Sequence, residues 1–517
     1  MISCLLDKNR GRPPVRFWVY LFLLFQTPVF GQTADPAPHK EQEPAELRED
    51  TSVETETPEV MYIIATIRFD IQGRTRPLAL LDAGMFRQGE LLLGEAGLAS
   101  YIKDKTQLLL NQRILEEVHI DYAAGKADAQ GLVPVDLLVS VRDTWNIIVL
   151  PRPQYDDNKG FDLTLKGRDY NFLGTMNPLR VDVGYQRDTE GEQSLVFEID
   201  SDTPFNAFGY AFNLNFDHAF SYTFEEPLYY KNTTGLSMEL PYRWTTFTFG
   251  FEEAAVIHEE NEDQYKAAYG DYDDWYMSSE LYASWKIPTG FLVHTLGELA
   301  YTPKVAGKLT YPKETLEYFR KGPTLTLSHK LGFGRIDWLG NYRNGVEVSL
   351  DNAYQYNLSH QDWNKTLFFT MTGHWPVRDF FGISGRVRYR HWFDDTQDAG
   401  DALRGILDKS VHAAYMVSLN LDFPFRILRF TPSQWLNNRK LRLFNFELHL
   451  SPFIDAALIP APQAALTGGL ECIVFPEFMR SFYVRVSMGW NLIEAVKTQS
   501  LPDGANRELF IGIGHHY

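Results

Sequence analysis

From about Gly160 to Tyr517 the chain is a series of short segments in which alternate residues are apolar and the rest are small or polar. In 481–491, Phe482, Val484, Val486, Met488 and Trp490 share one face. Ser481, Tyr483, Arg485, Ser487, Gly489 and Asn491 share the other. A period of two is the strand period. One strand with a greasy face is ordinary, but a long series predicts a barrel with hydrocarbon outside and water inside. Helices and closed barrels are the structures that satisfy every backbone polar group within a bilayer. After the N-terminal leader no run approaches the roughly 18 consecutive apolar residues of a spanning helix, so any crossing is made by strands. About 360 residues, at roughly 22 per strand and connection, predict an antiparallel transmembrane barrel of about sixteen strands over 151–517. Long polar connections at 225–234, 253–274, 302–321 and 394–409 alternate with shorter ones such as 288–290. An even count puts the segment before the barrel and the end of the chain on one side.

Residues 59–150 carry a different pattern. A strand is predicted at 62–71, a weak helix near 78–81, a better helix at 98–112, and strands at 117–122 and 133–141. In the longer helix Leu98, Ile102 and Leu109 share a face, and in the last strand Val135, Leu137, Val139 and Val141 do. The order β-α-α-β-β predicts a small α+β sandwich with helices on one face of a sheet. Residues 32–58, rich in Pro, Glu, Asp and Thr, read as a solvated acidic linker.

The N-terminus reads as a secretory signal over 1–31. Lys8, Arg10, Arg12 and Arg16 precede the apolar run 17–25, and Val29 and Gly31 suit cleavage after Gly31. A short signal anchor is the alternative. Loss of the leader removes four basic residues and one acidic one and takes the formal charge from −18 to −21. So acidic a chain is a poor nucleic-acid binder. Cys472 is then the sole cysteine, which excludes an intrachain disulfide; it falls among apolar strand residues, where a buried or lipid-facing thiol is expected. The 14% aromatic content is high and suits interfacial girdles.

Four stretches carry a more specific signal. Residues 62–141 follow the β-α-α-β-β order of a POTRA domain. Residues 167–185 (GRDYNFLGTMNPLRVDVGY) resemble a first barrel hairpin with an Asn–apolar–Leu–Gly turn. Leu403, Arg404, Gly405 and Ile406 resemble the (V/I/L)-R-G-(F/Y) motif of a long sixth extracellular loop. Phe453 to Ala457, with Phe453 and Asp455, resemble the F-x-D-x-G motif on a strand beyond it. Together they resemble a divergent member of the POTRA–barrel outer-membrane superfamily, which holds assembly barrels and two-partner secretion transporters. Ile406 stands where the family has an aromatic, and Ala457 where it has glycine. The connection at 424–440 is long for a periplasmic turn. Ile511, Ile513 and the terminal Tyr517 resemble the C-terminal barrel signal.

The resemblance implies an outer-membrane barrel of a Gram-negative-type bacterium with its POTRA-like domain in the periplasm. Its implied work is insertion of outer-membrane proteins or translocation of a polypeptide. The implied partners are the outer-membrane bilayer, an extended client captured by strand addition, and the barrel assembly machinery. A channel or surface antigen without client handling is the alternative, and a soluble β-rich binder is a third class. The resemblance also implies that Arg404 meets Asp455 in the lumen, where the alternation of 444–450 places Asp455. On the residues alone, Arg404 could equally sit in a solvated loop.

No catalytic motif stands out, no cofactor is expected, and the chain reads as a non-enzyme. A barrel hydrolase would need a Ser/His pair on neighbouring strands. His515 and His516 point to opposite strand faces and cannot chelate one metal together. Arg386, Arg388 and Arg390 form a basic stripe, read as lumen charges balanced by acidic strands opposite, or as an anion-selective lining.

Overall fold

A computed structural model describes residues 60–517 except 129, 159, 225–228, 243–244, 258–274, 293–297, 313–322, 360, 461–462, 481–482 and 514–517. The proposed leader and linker, Ser481, Phe482, His515, His516 and Tyr517 therefore lie outside the described residues.

The first described part is an α+β layer. Its four-stranded sheet runs Leu91–Leu93, Met61–Gln72, Leu132–Asp143, Leu115–Ala124 from edge to edge. Met61–Gln72 and Leu132–Asp143 pair in parallel, which the helices lying between them in the chain make possible. Helices Pro77–Ala83 and Gly94–Asn111 bury Leu80, Leu98 and Leu109 against Ile64, Val135, Leu137 and Val139. The three-residue edge strand Leu91–Leu93 is an addition to the expected order. It is too short for alternation to betray it.

The second part is a closed barrel. The sequence predicts about sixteen strands, whereas among the described residues there are eighteen. Tyr415–Asp422 and Phe425–Phe430 lie end to end between Phe381–Trp392 and Phe446–Ile459, so they form one stave. The shortfall has a physical origin. Strands such as Tyr229–Tyr242 and Glu298–Pro312 have polar stretches, which read as loop. Pro288 to Gly290, read as a turn, lie inside Trp275–Leu292.

The barrel begins at Ile147 rather than at residue 151, because Pro151 and Pro153 hide the strand character of Ile147–Asp156. For the same reason the Asn–apolar–Leu–Gly turn at 171–174 joins the second and third strands, Gly160–Asp169 and Leu179–Arg187, and not the first hairpin.

The two faces of the wall differ in chemistry. Outward residues include Leu163 and Leu165, Phe249 and Phe251, Leu325 and Leu327, Val417 and Leu419, and Ile454 and Leu458, all exposed. Inward residues include buried Asp182, Arg386, Ser418, Asn420, His449, Asp455, Glu471 and Arg485. An apolar exterior over a polar interior is the arrangement that lets a barrel sit in hydrocarbon. The small layer lies at the end of the barrel with tight turns, such as 208–209, 340–341 and 379–380.

Candidate functional site

The loop between Phe381–Trp392 and Tyr415–Asp422 does not spread into solvent. A two-residue ladder pairs Gln397–Asp398 with His412–Ala413. The segment between them turns inward with Ala399, Ala402, Leu403 and Ile406 buried in one apolar cluster with Met416 and Ala457. Both residues that depart from the family motif, Ile406 and Ala457, belong to that cluster. Leu403 is also buried, so the motif's two apolar positions anchor the loop on either side of Arg404 and Gly405.

Arg404 is the centre of the site. It is 3% exposed and Asp455 is 0% exposed. Its backbone N–H and its Nε donate to Asp455 Oδ2 at 3.0 and 2.9 Å, and its Nη2 donates to Oδ1 at 2.7 Å. Nη1 donates to Asp422 Oδ1 at 2.6 Å and stands 3.7 Å from Glu471 Oε2. The guanidinium lies over the Phe453 ring, 3.8 Å from its centroid. Arg485 donates to Glu471 at 3.0 Å. A planar fork engaging one carboxylate on two edges, with a ring stacked on its face, uses every feature that separates arginine from lysine. Phe453 and Asp455 both point inward because Phe446–Ile459 runs through Pro452 without losing its register to Gln463–Pro476.

Gly405 has φ +91°, a conformation glycine adopts without strain. A Cβ there would stand 2.4 Å from the Trp490 backbone nitrogen. On the facing wall, a Cβ on Gly489 would stand 2.9 Å from Gly405 Cα. The two glycines let loop and wall approach backbone to backbone.

The loop tip also reaches both ends of the barrel sheet. Gly405 N–H donates to Glu508 Oε2 at 2.8 Å, on the last strand Arg507–Ile513, and Leu407 N–H to Ala505 O at 3.1 Å. Asp408 N–H donates to Asn158 Oδ1 at 2.7 Å, in the turn after the first strand, and Asn158 Nδ2 to Glu508 Oε1 at 3.3 Å. Among the described residues, first and last strands pair at two positions, Asp156 with Phe510 and Tyr155 with Ile511. The loop tip is bonded across this seam.

Arg386, Arg388 and Arg390 face inward as a stripe. Their partners include the loop and a neighbouring strand. Arg390 grips Asp401 at 2.7 and 2.9 Å, Arg388 stands 4.0 Å from Asp401, and Arg386 donates to Asn420 at 3.3 Å. Asn420 donates in turn to Ala402 O at 2.8 Å. Sequence reasoning missed Asp422, Glu471, Asn420, Glu508 and Gly489. Each is an inward position by parity, and parity was the one available signal. Ile511 faces outward, and the Ile513 backbone pairs opposite Val484. Cys472 lies opposite Leu450 and Val486 on the outer face.

A Ser/His pair on neighbouring strands is present: Ser384 Oγ and His374 Nδ1 are 2.7 Å apart, with His374 buried. Among the described residues no cluster of His, Cys, Asp and Glu suits a metal.

The chain is similar in fold to CdiB from Acinetobacter baumannii. That match covers 88% of this chain and 74% of the other, at 15% identity and a TM-score of 0.45. CdiB from Escherichia coli matches over 90% of this chain and 92% of its own, at 8% identity and a TM-score of 0.39. BamA from Haemophilus ducreyi lacking POTRA domains 1–3 matches over 88% and 84%, at 13% identity and a TM-score of 0.34. No family model matches the chain, and no curated protein matches it in sequence.

Proposed function

We propose that this protein is an outer-membrane barrel of the POTRA–barrel superfamily, non-enzymatic, that assists insertion of outer-membrane proteins or translocation of a polypeptide. The observation that carries the reading is the loop tip. A buried Arg404–Asp455 pair, with Asp422 beside it, holds Gly405 to Asp408 against both strands of the ladder that joins the ends of the barrel sheet. A passive wall has no need of a latch at its seam. A wall that parts to pass or template a client strand does, because the unpaired edges must be kept closed at rest.

The α+β layer, which we place in the periplasm, supplies the capture surface. Leu115–Ala124 pairs on one side alone, leaving a ten-residue edge open for an added strand. Val118, Ile120 and Tyr122 alternate along it. The apolar outer belt fits a bilayer, and the leader and C-terminal signal read from the sequence fit export and outer-membrane insertion.

The test is depletion in the native host. Other outer-membrane barrels, or one secreted client, should fall in abundance while transcription holds. Normal accumulation of all barrels and secreted proteins sinks the transport reading and leaves the channel or surface-antigen alternative.

A further inference from the structure

The connection between Phe425–Phe430 and Phe446–Ile459 is the structure's largest elaboration at the tight-turn end. It holds a short helix, Pro432–Trp435, and a 3-10 segment, Arg439–Phe444. Its apolar side chains are not buried: Trp435, Leu436, Leu443 and Phe444 are 61 to 69% exposed. They continue the outer belt. Phe430 pairs with Phe446 on the outward face, and Trp435 packs edge-on against Phe430 with ring centroids 5.1 Å apart. An exposed apolar ledge continuous with a hydrocarbon-facing wall, and headed by tryptophan, belongs at a membrane–water interface.

Behind the ledge, toward the small domain, lies an open cleft of about 530 Å³. Arg439, Lys440 and Arg480 line it, with Trp145 and Leu443 as its apolar side. Of its two carboxylates, Glu116 pairs with Arg442 at 2.6 Å, and Glu477 accepts from the Asn445 amide at 2.7 Å. Among the described residues no carboxylate lies within ion-pair reach of Arg439, Lys440 or Arg480. The lining holds four cations, Arg439, Lys440, Arg442 and Arg480, against two carboxylates, a positive excess in a chain of formal charge −18. Trp145, 68% exposed, offers a second interfacial ring at the same end.

We propose that this cleft seats the headgroup of an anionic phospholipid from the leaflet on the small-domain side. Arg439, Lys440 and Arg480 take the phosphate and any second negative charge, and the acyl chains run outward over Leu443 and Trp435. The occupant follows from the two halves of the site. Charge complementarity asks for an anion, and continuity with the outer belt asks for an acyl chain on it. The inference rests on the reading of the barrel as bilayer-embedded.

The full-length protein, released from micelles of equal phosphatidylglycerol and phosphatidylcholine and weighed intact by native mass spectrometry, should retain phosphatidylglycerol about tenfold over phosphatidylcholine. R439Q/K440Q/R480Q should bring that ratio to near parity while migration on a gel stays heat-modifiable. R439Q/K440Q, confined to the exposed insertion, should lower it severalfold if the triple variant does not fold. Equal retention by the unmodified protein, an unchanged ratio in the folded variants, or displacement of the lipid by inorganic phosphate overturns the lipid seat. A chain that stays soluble without detergent overturns the bilayer reading itself. A heat-modifiable barrel without lipid preference overturns the seat alone.

Discussion

Arg404 shows what a single side chain does in this molecule. Removing carboxylates and a guanidinium from water is costly, and mutual attraction offsets that cost only when every group has a partner. Here Asp455 receives three hydrogen bonds and Asp422 one from the same residue. Arg404→Ala leaves the buried Asp455 without this cation, a loss of about 3 to 5 kcal/mol by analogy with other broken buried pairs. The strand ladders do not depend on it, so we expect the barrel to keep heat-modifiable migration while residues 393–414 become cleavable by added protease. Arg404→Lys should fall between, since a compact ammonium cannot bridge two carboxylates with a rigid fork. An unchanged cleavage pattern in Arg404→Ala counts against the lock. Asp455 was legible from strand parity together with the family motif. Asp422 and Glu471 were not, because parity tells which side a residue faces and not which inward residues meet. That depends on where a loop folds, which no local pattern encodes.

At the scale of elements, alternation located most strands and misjudged their lengths. Tyr229–Tyr242 shows why. Its register partners include polar pairs such as Thr233 with Asp217 and Asn232 with His218, so half the strand has the composition of a loop. Backbone pairing, not side-chain polarity, decides where a barrel strand ends. The same limit hid the seam. Pro151 and Pro153 lack the N–H that a ladder needs, and the first strand's pairing with the last is held to Tyr155 and Asp156 among the described residues. We test the seam as the place where the wall opens. Asp156→Cys with Phe510→Cys joins a directly opposed pair, at a spacing suited to a disulfide. With Cys472→Ala to prevent mispairing, the oxidised protein should fail to restore client levels in a depleted strain and the reduced protein should restore them. Equal activity in both states removes the seam from the mechanism.

For the whole molecule, the question is how the α+β layer meets the barrel. Much of their contact is polar. Arg113 lies at the end of helix Gly94–Asn111 in a left-handed conformation, φ +58°. It donates to Arg480 O, to Gly340 O at 3.2 Å and to Asn341 Oδ1 at 3.2 Å, and covers the Trp338 ring at 4.0 Å. Burial pulls its pKa down to about 10, so it remains charged at neutral pH. Asn111 exchanges hydrogen bonds with Asp337 and Trp338 at 2.8 and 3.0 Å, and Arg335 reaches back to Asp104. On the far side Asn171 donates to Thr75 Oγ1 at 2.7 Å. The layer thus grips several barrel turns at the mouth, while most of its own core, Ile64, Leu98, Leu109, Val135, Leu137 and Val139, comes from the layer itself, with Tyr170 and Met176 of one turn packed against it. Docking and folding should therefore separate. Arg113→Asn keeps a side chain that tolerates the left-handed backbone and removes the guanidinium. We expect faster hydrogen exchange at 338–342 and at the end of the helix, with exchange in 132–143 unchanged. On the function proposed above, release of this docking would let the layer swing from the mouth as a client threads past. Unaltered exchange at 338–342 would mean that the layer is a fixed part of the barrel, and clients would then have to enter beside it rather than beneath it.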